Sequence, residues 1–86
     1  MHTMPVRTSI GRNLRASRKK RFPDDNLTSF ALRIGVARAT LQKMEQGDLS
    51  VSMDKYFKAA QVLGLEHGFD ALFGQDPSLF DGPPPA

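Results

Sequence analysis

The chain contains no cysteine and no tryptophan. Without thiols it has neither disulfides nor thiolate metal sites. Its only histidines are His2 and His67, which argues against a His-based zinc site, so neither a metal nor a cofactor is expected. No His stands near a Ser and an acid in a recognisable arrangement, and no glycine-rich phosphate loop occurs, so an enzyme is not expected. No apolar run approaches the roughly 20 residues that cross a bilayer. The opening residues MHTMPVRTSI lack the apolar stretch of a secretory signal. A cytoplasmic location with no membrane partner is the expectation. At 86 residues the ceiling is one small domain, burying about 60% of its unfolded surface. Its core must hold itself, helped at most by a second subunit or by nucleic acid.

Acidic residues are missing from one part of the chain. Residues 1–22 hold seven basic side chains (Arg7, Arg12, Arg15, Arg18, Lys19, Lys20, Arg21) and no acid. Residues 23–47 balance three against three, and residues 48–86 set Lys55 and Lys58 against six acids. Such a gradient suits a polyanion on one face and a different partner on another. It also suits a merely solvated first helix with a basic end.

No internal repeat and no strand-like alternation is present, and helical spacing runs throughout, which predicts an all-α fold. A first helix is predicted from a cap at Thr8 or Ser9 to about Lys20, with Ile10 and Leu14 inward. Phe22-Pro23-Asp24-Asp25 breaks it. Asn26 is a good cap for a second helix over 27–34, with Phe30, Ala31 and Ile34 inward, and Gly35 stands where a left-handed C-cap is wanted. A third helix is predicted over about 38–46 with Leu41 and Met44 inward. Ser52 caps a fourth over 53–63, with Met53, Tyr56, Phe57, Ala60 and Leu63 inward. A short fifth is predicted over 67–73. These divide the chain into an N-terminal arm (1–7), a helical domain (8–74) and a tail (75–86) that is expected to be disordered, its proline-rich end 81–86 being unable to form helix.

The second and third helices carry the functional signal. Two short helices crossing steeply need a small residue at the contact, and Ala31 supplies it. A reversal within three to four residues favours glycine, here Gly35, and Val36 can plug the gap between the helices. Leu41 and Met44 then pin the third helix, which leaves Arg38, Ala39, Gln42 and Lys43 facing out. Arg and Lys donate to guanine O6 and N7, Gln pairs with adenine N6 and N7, and a small Ala can approach a thymine methyl. Recognition helices place their N-terminal residues deepest in the groove. Ala37, Arg38, Ala39, Gln42 and Lys43 are therefore the candidate base contacts. Thr40 is a candidate phosphate contact, as are Arg12, Arg15 and Lys19. Arg7, Lys20 and Arg21 are further possibilities, but one helix cannot turn every face to a duplex. An ordinary helical hairpin with a polar outer face would explain the turn alone.

Phe30-Ala31, Gly35-Val36-Ala37, Thr40-Leu41, Glu45 and Gly47 stand at the spacing of the lambda-repressor-like helix-turn-helix family, also called the Cro/C1 or xenobiotic-response-element type, which this chain resembles over roughly residues 9–73. The resemblance implies a compact five-helix DNA-binding domain and a recognition helix near 38–46. It also implies a two-fold dimer on a palindromic operator. It further implies that Arg18 pairs with Glu45, locking the first helix to the third. Three features depart from the family pattern: Ala37 replaces the usual Ser or Thr cap, the link 22–25 is about two residues longer, and Asp24 and Asp25 sit where a phosphate contact is often made. The segments 45–53 and 62–65 resemble the small regulators that accompany HipA-type kinase toxins. Such an antitoxin represses its own operon and holds its toxin through a second surface. The expected function is thus a sequence-specific DNA-binding repressor, in a toxin–antitoxin operon or as a stand-alone phage or controller-type regulator. A helix-turn-helix interaction module without DNA binding is the alternative from another class. For a homodimer, the fifth helix has more apolar side chains than it can bury alone, so Phe69 or Phe73 is the expected dimer contact.

Overall fold

The computed structural model describes residues 6–74. Five helices follow in order: α1 (Val6–Arg21), α2 (Leu27–Ile34), α3 (Arg38–Glu45), α4 (Met53–Leu63) and α5 (His67–Asp70). No strand occurs among the described residues, and the all-α, five-helix expectation holds. The expected disordered tail and the first five residues of the expected arm lie outside the described residues.

Local chemistry sets the middle of the fold. The Asn26 carboxamide oxygen accepts from the Ser29 backbone N–H at 2.8 Å, and the Asn26 N–H donates to the Ser29 hydroxyl at 2.9 Å. This reciprocal box satisfies donors that the first turn of α2 would otherwise leave orphaned. At the other end Gly35 takes φ +71°, a left-handed conformation that costs glycine little. The Val36 N–H can then reach the Ala31 carbonyl at 3.0 Å, and three residues suffice to turn the chain into α3.

The core lies where α2, α3 and α4 meet. Phe30, Ala31, Ile34, Leu41, Met44, Ala59 and Leu63 are buried, and Phe30, Leu41 and Met44 are the largest side chains fully enclosed. Each such large apolar side chain gains about 1.5–3 kcal/mol on leaving water. Helix α1 adds Leu14, and Phe22 just beyond it packs on the same core, its ring 5.8 Å from that of Phe30.

Four expectations need correction. Helix α1 starts at Val6, two residues before the expected cap and inside the expected arm. Its first turn has a docking site: Gly47, at φ +78°, lies so close to the Arg7 carbonyl that a Cβ there would collide with it. Ile10 and Met53 do not enter the core but stay 38% and 56% exposed, because no element among the described residues covers that side of α1 and α4, and Ala59 is buried in the core instead. Helix α5 stops at Asp70, and the chain continues through bonds from Leu72 N–H to the Phe69 carbonyl and from Gly74 N–H to the Ala71 carbonyl. These close four-residue turns in place of helix, and Phe73, within the second, takes φ +65°. Ser52 stands at the start of α4 in extended conformation, but its side chain makes no capping bond.

The crossing of α1 over the end of α3 is a backbone-to-backbone contact at Gly11, where a Cβ would fall 2.5 Å from the Glu45 carbonyl oxygen and 2.6 Å from the Gly47 nitrogen. Alanine gains about 1 kcal/mol over glycine within a helix, but overpacking against unyielding backbone costs about 1–3 kcal/mol. Gly11→Ala is therefore expected to lower stability, read by urea unfolding. A stabilised variant would contradict so close a crossing.

Candidate nucleic-acid interface

The apolar face of α3 is spent on the core through Leu41 and Met44, and the remaining positions face out. Ala37, Arg38, Ala39, Gln42 and Lys43 are all exposed, whereas Thr40 is half-buried at the helix start. The structure thus leaves the five expected base-reading residues exposed at and along α3 and Thr40 partly packed. Ala37 caps α3 without any side-chain bond. The first turn keeps its orphan N–H groups and, carrying no acid, presents the positive end of the helix dipole.

Helix α1 flanks this face. Arg12, Arg15 and Lys19 are exposed and recur at three- and four-residue spacing, so they form one stripe. Arg15 lines a polar depression of about 240 Å³ together with Leu27, Gln42 and Gln46, with Arg18 and Glu45 beside them. That depression joins the basic stripe of α1 to the outer face of α3. Lys20 and Arg21 lie on other sides of the helix. Gln46 was not among the expected contacts, although it follows Gln42 by four residues and therefore shares its side of α3. Its place at the frayed end of the predicted helix hid that relation.

The register between α1 and α3 is held by the expected pair. Arg18 Nε donates to Glu45 Oε2 at 2.7 Å and Nη2 to Oε1 at 3.2 Å, a two-pronged geometry matching guanidinium to carboxylate. Arg18 Nη1 also donates to the Asp25 carbonyl at 3.4 Å, which ties in the link before α2. The side chains are only 7% and 9% exposed, so this is a buried pair and not a surface one.

The acids ahead of α2 are partly accounted for. Asp25 accepts from Arg33 Nε at 2.5 Å and from Nη2 at 3.2 Å, and the Arg33 guanidinium lies 4.2 Å over the Phe22 ring. The hydrogen bond from Arg33, aided by the charges of Arg33 and Arg18, holds the Asp25 carboxyl below its usual range. One of the two acids is thereby neutralised within the domain, and the link 22–25 forms a clasp with Arg33 of α2. Asp24 remains exposed.

A helix-turn-helix family model matches residues 25–69, more than half of the 86-residue chain. The chain belongs to the helix-turn-helix family. The match is of the lambda-repressor-like type and carries DNA-binding transcription regulation with it. It spans α2 to most of α5, so the attachment of α1 to this helix-turn-helix unit rests on the geometry at Gly11 and Arg18. No curated protein and no solved structure matches the chain significantly.

The two residues expected at a dimer contact are not brought together. The Phe69 ring meets that of Phe57 edge-on, with centroids 5.2 Å apart and planes at 86°, so much of it is used inside the domain. Phe73 lies beyond α5 and is 90% exposed. No helix among the described residues is long and apolar enough to cross a membrane.

Removing one partner of a buried ion pair leaves an uncompensated charge, at a cost of about 3–5 kcal/mol. Arg18→Met is expected to destabilise the protein by that order, and so is Glu45→Met. The double variant is expected to recover most of the loss, because both charges leave together. Chemical denaturation of the four proteins checks this; strictly additive losses would show that the pair is not coupled.

Proposed function

We propose that this helix-turn-helix protein is a repressor that binds a palindromic operator as a homodimer. The observation that carries the reading is the outward face of α3. Arg38, Ala39, Gln42 and Lys43 present donors and small side chains, with no large apolar residue among them. The face is continuous with the Arg12–Arg15–Lys19 stripe through the depression at Arg15, Gln42 and Gln46. A protein using α3 this way sets base-reading groups in a major groove while α1 crosses the adjoining backbone. The roles follow: Arg38 and Lys43 donate to guanine, Gln42 pairs with adenine, Ala37 and Ala39 allow close approach, and Arg12, Arg15, Lys19 and Thr40 meet phosphates. Each phosphate neutralised adds about 0.9 to the slope of log affinity against log salt.

The homodimer follows from the operator. Symmetric half-sites about 34–36 Å apart need two copies held at that distance. As the biological setting we propose autoregulation of a toxin operon, supported by the resemblance of residues 45–53 and 62–65 to regulators that accompany HipA-type kinase toxins. Such a toxin would be held through a surface other than α3.

The test is binding to the DNA upstream of the protein's own gene against a scrambled duplex, in near-physiological salt. A preference of about 10³ or more is expected, lost in the Arg38→Ala, Lys43→Ala double variant while residual salt-sensitive binding persists. Equal, weak binding of the intact protein to both duplexes would overturn the repressor reading.

A further inference from the structure

On the side of α1 away from the Arg12–Arg15–Lys19 stripe runs an apolar groove of about 660 Å³, with α1 as one wall and α4 with the α5 segment as the other. Most of the large apolar side chains left in water gather along it: Leu49 is 61% exposed, Met53 56% and Leu65 53%, with Ile10 and Leu72 beside them. A contiguous apolar patch of this kind marks an interaction surface, whereas scattered single residues do not. No charged side chain among the described residues lines the groove, so its occupant is uncharged where it touches. A cleft within the range of about 300–1,000 Å³ suits a few anchoring side chains.

The chain leaves the described residues at the edge of this groove. Leu72 lines it, and Gly74, the last described residue, stands two residues further on, at most about 7 Å away. The turn from Ala71 to Gly74, with Phe73 at φ +65°, reverses the chain there. Gln75-Asp76-Pro77-Ser78-Leu79-Phe80-Asp81 follows. Leu79 and Phe80 are the only large apolar side chains in residues 75–86, and no charge stands within 77–80. The five residues from Gly74 to Leu79 span up to about 17 Å, enough to carry both side chains past Leu72 and into the cleft. We propose that the segment 77–80 folds back into the groove of its own chain, with Leu79 and Phe80 as the anchors.

Tethering decides between this occupant and others. A segment on so short a link meets the groove at an effective concentration of about millimolar, so a second copy or a separate peptide at micromolar concentration needs roughly 10³-fold greater intrinsic affinity to take its place. Pro77 and Pro83 restrict the backbone on both sides, which lowers the cost of ordering it. At the other terminus, residues 1–5 carry no adjacent pair of large apolar side chains. The groove is thus closed by the chain itself, and a partner that uses this face has to displace the segment first. Helix α3 takes no part, so the docking is independent of the repressor reading.

The chain lacks tryptophan, and its single tyrosine, Tyr56, lines the groove, so Phe80→Trp in the full chain supplies a single reporter. The introduced indole is expected to emit at a blue-shifted wavelength, to resist acrylamide quenching and to accept energy from Tyr56, all independently of protein concentration. Leu79→Asp on the segment, and Met53→Asp or Leu65→Asp on the wall, are each expected to abolish that shielding. Met53 and Leu65 are more than half exposed, and circular dichroism reads whether the helices persist. A freely quenched indole, or shielding unchanged in these helical variants, would overturn the assignment. Shielding that grows with protein concentration alongside a dimer in sedimentation would overturn it too, because the segment would then be held by another copy. The unaltered chain provides a second measurement that needs no indole. Nuclear Overhauser contacts from the Phe80 ring to the methyls of Ile10, Met53 or Leu65 at a monomeric concentration support the docking, and their absence removes it.

Discussion

The buried pair between Arg18 and Glu45 is the constraint on which the arrangement of this protein depends. It joins the end of α1 to the last residue of α3, 27 positions apart in sequence. Its value as stability is modest, because desolvating two charges offsets most of what their attraction returns. Its value as alignment is larger. A slide of α1 along α3 would part both prongs and leave two buried charges unpaired. The close contact at Gly11 forbids a looser spacing filled by side chains, so α1 has one depth and one register.

With that register fixed, each side of α1 has a separate task. The side bearing Gly11, Leu14 and Arg18 holds the helix to the core and to α3. The side bearing Arg12, Arg15 and Lys19 adds positive charge to the edge of the recognition face. The side bearing Ile10, Asn13 and Ser17 forms one wall of the apolar groove. Glu45 would be a poor neighbour for a phosphate, but its charge is neutralised by Arg18. Asp25 is handled in the same way by Arg33.

The sequence was most readable where local chemistry decides the outcome. Asn26, Gly35 and the spacing of Phe30, Ala31, Ile34, Leu41 and Met44 fix α2, the turn and α3 within a short span, so the outer face of α3 follows by subtraction. The bounds of α4 were legible for the same reason. The start of α1 was not, because its first turn is held by a contact with Gly47, forty residues away along the chain. Helical spacing could not reveal that Ile10 and Met53 border a groove, since an apolar period says which side is apolar and not whether anything covers it. Helix α5 was overestimated because its apolar residues suggested a longer helix than its turn-like bonding supports. The Asp25–Arg33–Phe22 clasp and the placement of Gln46 beside Arg15 depend on how elements pack, which no local pattern encodes.

The central claim is that DNA is met by one continuous face made of α3 and one side of α1. Backbone amide chemical shifts of the isotopically labelled protein, followed during titration with the duplex from upstream of its gene, test this most directly. The account predicts changes concentrated at Ala37, Arg38, Ala39, Gln42, Lys43 and Gln46 and along Arg12, Arg15 and Lys19, with Leu49, Met53, Leu65 and Leu72 unmoved by the DNA itself. Changes centred on the groove residues, with α3 silent, would contradict it.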